Sequence, residues 1–87
     1  MTLEARASTF EAARKLAVPT IRSILRKRRN AIRGRKASLL VELNADLGFA
    51  VSAALSLGMD GATLAADTTQ HPDDSRVLMA IIIREAL

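Results

Sequence analysis

The spacing of apolar residues along the 87-residue chain follows a helical period almost throughout. The clearest case is the stretch after Ala37, where Leu40, Leu43, Leu47, Ala50, Val51, Ala54 and Leu57 recur at intervals of three and four. That pattern predicts one amphipathic core helix. Ser38 stands where its N-cap would fall, and Gly58 where it would end. Glu42, Asp46, Ser52 and Ser56 fall on the other face, and Phe49 falls with them, a large apolar side chain on a polar side. Ala50, Ala54 and Gly58 add a ridge of small residues that allows another helix to approach closely.

Earlier in the chain, Ser8-Thr9-Phe10-Glu11 has the spacing of a capping box ahead of an alanine-rich helix running to about residue 17. Val18-Pro19 predicts a break, because the residue before a proline avoids the α region and Pro19 suits the first turn of a new helix. That second helix covers residues 20–36, with a break or kink expected at Gly34. After Asp60-Gly61 a short helical piece is expected over 62–66, then a polar loop through His71. Asp73, Asp74 and Ser75 suit the first turn of a last helix and Arg84 its last turn. The run Val77–Ile83 is apolar nearly all round and rich in β-branched groups, so a buried strand competes with a buried helix. Helix is favoured because only 38–43 offers a pairing strand, and one pair makes a poor sheet. The expected fold is therefore all-α, a small four-helix domain with a short extra helical turn, in a single domain over 1–87. A chain this short buries only about 60–65 % of its unfolded surface, which points to a homo-oligomer. Phe49, Ala50, Ala54, Gly58, Ile81, Ile82 and Ile83 are the candidate interface.

Charge changes the picture more than composition does. Residues 20–36 hold eight basic residues and no acidic one. On a helix, Arg22, Arg26, Arg29 and Arg33 form a continuous stripe about 16 Å long, assisted by Lys27, Arg28, Arg35 and Lys36, while Ile21, Ile24, Leu25 and Ile32 line the roughly opposite face. Residues 1–37 carry eleven Lys or Arg against two Glu, a net of +9; residues 38–87 carry two Arg against seven acids, a net of −5; the chain is +4. Either the acidic half neutralises the basic helix, within one chain or between subunits, or the basic helix meets an external anion.

The chemistry on offer is narrow. There is no cysteine, so disulfides, thiolate metal sites and thiol nucleophiles are all excluded. With Phe10 and Phe49 the only aromatics, base stacking has little to work with, and a nucleic-acid partner would be held by phosphates. Glu42 and Asp46 share a face as catalytic carboxylates do, but no nucleophile, base or phosphate-cradling glycine loop accompanies them. His71, the single histidine, reads as a solvated loop residue with no metal or cofactor to hold. The run 54–64 resembles the helix-turn-helix spacing, yet its second helix offers two acids, no Arg or Lys, and only Thr63 to touch a base edge. An ordinary corner between two helices accounts for it. No secretory signal is visible, and the longest uncharged apolar run, 47–59, falls short of the roughly 20 residues a membrane span needs, so no transmembrane span and a cytoplasmic location are expected.

These readings point to a non-enzymatic, nucleic-acid-associated accessory or regulatory protein that contacts DNA or RNA phosphates through residues 20–36. The alternative is a structural or assembly subunit of a larger phage or bacterial complex whose basic helix docks on an acidic protein surface. A membrane surface is disfavoured because the apolar face of the basic helix has no aromatic anchors.

Overall fold

A computed structural model describes the backbone of residues 3–86 and the side chains of residues 11–85. Four helices follow one another: α1 over Leu3–Arg33, α2 over Ala37–Ser56, α3 over Gly61–Thr68 and α4 over Pro72–Ala86. No strand occurs among the described residues, so the Val77–Ile83 run is helical. The all-α expectation holds. The count of four is reached differently from the sequence reading, which divided α1 in two and treated α3 as an extra turn.

The expected break at Val18-Pro19 does not occur, and Ser8 lies within the α1 span rather than at its start. Proline inside a helix removes one hydrogen bond and costs about 3 kcal/mol. Here the core outweighs that cost. Ala17 and Val18 before the proline, and Ile21, Ile24 and Leu25 after it, all pack on the same core, with Ile21 and Leu25 fully buried. Burying those last two contributes about 1.5–3 kcal/mol each, and only an unbroken helix puts both flanks on one face. Pro19 itself points to solvent. At 1.5 Å per residue the 31-residue α1 is about 46 Å long, and it sets the 48 Å long axis of a molecule whose other extents are 22 and 21 Å.

Helix α1 ends at Arg33, as Gly34 suggests, but by a motif in which the glycine is not the strained residue. Lys36 N–H donates to the Ala31 carbonyl (2.9 Å) and Arg35 N–H to the Ile32 carbonyl (3.2 Å), closing a Schellman turn. The left-handed position of that turn is Arg35, at φ 53°. The turn delivers the chain into α2 sooner than the sequence implied. The N-cap is Lys36, without a side-chain cap, and Ser38, the expected cap, already lies inside the first turn. At the other end of α2 the same turn recurs with Gly58 in the left-handed position, φ 86°, and Met59 N–H donating to the Ala54 carbonyl (3.2 Å).

The two long helices form an antiparallel hairpin closed by Gly34–Lys36, and α3 and α4 pack across it. Leu47, Val51 and Ala54 of α2 meet Ile21 and Leu25 of α1, Leu64 and Ala65 of α3, and Leu78 and Ile81 of α4, and Leu43 is buried on the same face of α2. Asp60 caps α3: its carboxylate accepts from Thr63 N–H and the Thr63 hydroxyl, both at 3.0 Å. These bonds, the backbone one foremost, hold the Asp60 carboxyl below its ordinary pKa. Gly61 then passes so close to α4 that a Cβ there would stand 2.7 Å from Ile82 Cγ2.

Helix α2 gives only one face to this core. Among the described residues it is the one helix long and apolar enough, by length and composition alone, to cross a bilayer. The sequence reading had measured only its uncharged run. The helix also carries Glu42 and Asp46, and its outer side leaves Val41 and Phe49 at 70 % and 82 % exposure.

Candidate functional site

The arginine stripe does not lie opposite the core face of α1; it lies on its flank. At about 100° per residue, Arg22 and Arg29 fall within about 20° of each other, and Arg26 and Arg33 form a second pair about 40° further from the core. That small offset divides their fates. The inner pair turns towards α3 and α4. Arg22 donates from Nε (2.8 Å) and from an η nitrogen to the carbonyl of Asp67. This carbonyl belongs to the last turn of α3, where helical partners run out, so Arg22 acts as a cationic cap. Arg29 pairs with Asp74, whose carboxylate is 1 % exposed and sits in the first turn of α4.

Two arginines seven residues apart thus clamp the end of α3 and the start of α4 onto α1. The link between them, Thr69–His71, is held against the stripe. Thr68 and Thr69 finish α3 by donating their hydroxyls to the carbonyls of Leu64 and Ala65, each at 2.7 Å. Between the link and α1 lies a groove of about 490 Å³, lined by Pro19, Arg22, Ser23, Arg26 and Arg29 on one wall and Thr68, Gln70 and His71 on the other. Arg26, between Arg22 and Arg29 along α1, is exposed and has no hydrogen-bond or ion-pair partner among the described residues.

The remaining basic positions divide in the same way. Arg28 is half-buried and donates from Nε to Asn44 Oδ1 at 2.6 Å, tying α1 to α2. Lys27, Arg33, Arg35 and Lys36 are exposed and unpaired among the described residues. The other ion pairs there are local, Arg14 with Glu11 (3.1 Å) and Arg76 with Asp73 (4.0 Å). The acidic half therefore neutralises Arg29 alone by an ion pair. The carboxylates of Glu42, Asp46, Asp60 and Asp67 belong to exposed residues and form no ion pair with the stripe among the described residues, Asp67 meeting Arg22 through its backbone carbonyl alone.

The candidate interface residues scatter. Ala54 and Ile81 belong to the chain's own core, Ala50 packs half-buried against it, Ile82 is taken up by Gly61, and Gly58 serves the turn. Phe49, and Ile83 at 57 % exposure, point outward. Val41, an outward apolar residue one helical face round, was missed because it falls between two core positions. No group of three or more His, Asp or Glu is placed to hold a metal among the described residues.

The sequence reading also missed Thr68, Gln70 and His71 as neighbours of the stripe. They stand some 45 residues from the arginines they face, and no local pattern carries that pairing. The nearest sequence signal was the charge difference between the two halves of the chain. Compared with known protein families, curated proteins and solved structures, the chain matches none.

Proposed function

We propose that this chain is a small, non-enzymatic, cytoplasmic protein that associates with nucleic acid as an accessory or regulatory factor, contacting backbone phosphates through the outer edge of α1. The observation that carries this reading is the unspent charge on that edge. Arg26, Lys27, Arg33, Arg35 and Lys36 stay exposed and unpaired among the described residues, although the same chain carries seven acids in its second half. An unneutralised row of cations is what counterion release from a polyanion needs, and guanidinium groups match phosphate bidentately. With no described aromatic in the row and no basic residue on α3, the reading is one of phosphate contact without base readout.

The test replaces Arg26, Arg33, Arg35 and Lys36 together by Gln and measures binding to labelled duplex DNA and to RNA across a salt series. Binding to duplex weakens, and the slope of log affinity against log salt flattens by up to about 3.6 if each side chain contacts one phosphate. Because all four are exposed, helicity and thermal stability stay unchanged.

The exposed apolar surface of Val41, Phe49 and Ile83 favours a second reading, in which the chain is an assembly subunit and self-associates or docks through α2 and α4. Under that reading the mass in solution exceeds one chain, Phe49→Ser lowers it, and the four Gln substitutions weaken assembly rather than nucleic-acid binding. Wild-type protein that binds no polyanion at low salt would end the first reading.

A further inference from the structure

We propose that the groove between α1 and the α3–α4 link is a built binding site for a single phosphate group, with Arg26 as its central ligand and Gln70 and His71 closing over it from the link. The proposal deepens the phosphate-contact reading above and rests on it for the source of the phosphate, a nucleic-acid strand.

Three features separate this groove from the rest of the basic face. First, the two cations that flank Arg26 are fixed before any ligand arrives. Arg22 is held by two hydrogen bonds to the Asp67 carbonyl and Arg29 by Asp74, so both stand as posts either side of Arg26. A site whose charges are already positioned loses less side-chain entropy on binding than a row of free lysines. Second, the charge balance within it is positive. Asp74 cancels Arg29 from below, while Arg22 spends its bonds on an uncharged carbonyl and keeps its full charge beside that of Arg26. Asp67 contributes that carbonyl and is not among the lining residues. Third, the opposite wall is polar and bears hydrogen-bonding side chains, Gln70 and His71, at a concave surface of about 490 Å³, room for a phosphate and its attached sugar. No Phe, Tyr or Trp lines the groove, so apart from the His71 ring a base finds no stacking platform there and the phosphate is the group recognised. Arg33, two turns along on the same edge as Arg26, lies outside the groove and serves as the internal control.

His71 is the only histidine, so its ring signals in a nuclear magnetic resonance spectrum are assigned without ambiguity and report on the link that walls this groove. The experiment titrates full-length protein with inorganic phosphate, chloride being adjusted to keep ionic strength constant, and then with a short single-stranded oligonucleotide. It follows the His71 ring and the arginine Nε–Hε signals in the wild type, Arg26→Gln and Arg33→Gln. The expected result is that both ligands shift His71 and the groove arginines, that Arg26→Gln weakens both by about tenfold, the loss of one charge-assisted contact, and that Arg33→Gln leaves phosphate binding unchanged. Oligonucleotide that binds while His71 stays still, with Arg26→Gln no worse than Arg33→Gln, would overturn the groove and leave the nucleic-acid reading standing. Phosphate that needs Arg26 while no oligonucleotide binds would support the groove and overturn the strand as its source. Shifts that persist in Arg26→Gln mean an adventitious ion only, and overturn the proposal.

Discussion

The clamp between Arg29 and Asp74 makes a prediction about asymmetry. Asp74 is 1 % exposed; one carboxylate oxygen meets Arg29 and the other is buried with no protein partner, whereas the Arg29 side chain is 30 % exposed. Deleting either partner breaks the same pair but strands a different survivor. In Arg29→Met a carboxylate is left in the interior without a counter-charge, which costs about 3–5 kcal/mol. In Asp74→Ala the survivor is a guanidinium that turns into water. What is lost is one charged hydrogen bond, about 1.5–3 kcal/mol, offset in part because the orphaned oxygen is removed with it, so the net cost is about 1–2 kcal/mol. Both matter in a chain of this length, whose total stability is about 4–13 kcal/mol. Urea unfolding at fixed protein concentration, followed by circular dichroism, measures both variants and the double mutant. The expected order is Arg29→Met well below Asp74→Ala, with the double mutant costing less than the sum of the two. An Asp74→Ala variant as damaged as Arg29→Met, or strictly additive effects, would refute the idea that burial of the acid rather than of the arginine sets the energetics.

Other substitutions test the turns and the close packing. Arg35→Gly removes a side chain from a left-handed position at φ 53° and should stabilise by about 1 kcal/mol, raising the melting temperature by roughly 4–8 °C in a thermal scan. Gly61→Ala places a Cβ 2.7 Å from Ile82 Cγ2 and should destabilise by about 1–3 kcal/mol, with Ile82→Ala on the same chain giving back part of the loss in a double-mutant cycle. Because the Asp60 carboxyl is held below its ordinary value by Thr63, the capping contribution is complete above that ordinary value and disappears as pH falls through the lowered one. Acid titration of stability should therefore lose this component in Asp60→Ala, which is also less stable than the wild type at neutral pH. Pro19→Ala restores a backbone donor inside α1 and should stabilise the helix without altering the fold, since the core already holds both flanks in register.

Local periodicity alone determined a good deal of this protein. The helical character of α1, α2 and α3, the core stripe through Leu43, Leu47, Val51 and Ala54, the end of α1 near Gly34, the Gly58 turn and the acidic first turn of α4 were all legible, because each depends on residues within a turn or two of one another, whereas the apolar run Val77–Ile83 left strand and helix in competition. The same locality explains the errors. Pro19 and Ser38 carry real local preferences, for a break and for a cap; Pro19 was overruled by the core partners far along the chain that hold both its flanks, and Ser38 by a turn three residues earlier whose left-handed residue is Arg35, where no glycine marks it. For the candidate site, the sequence marked the arginines and could not sort them. Arg22 and Arg29 differ from Arg26 and Arg33 by about 40° around one helix, and that angle has meaning only once α3 and α4 are laid against it. Which cations are spent on the fold, which are left for a ligand, and that Gln70 and His71 stand across from Arg26, are decided by packing between segments some 45 residues apart, where no pattern of neighbouring residues can reach.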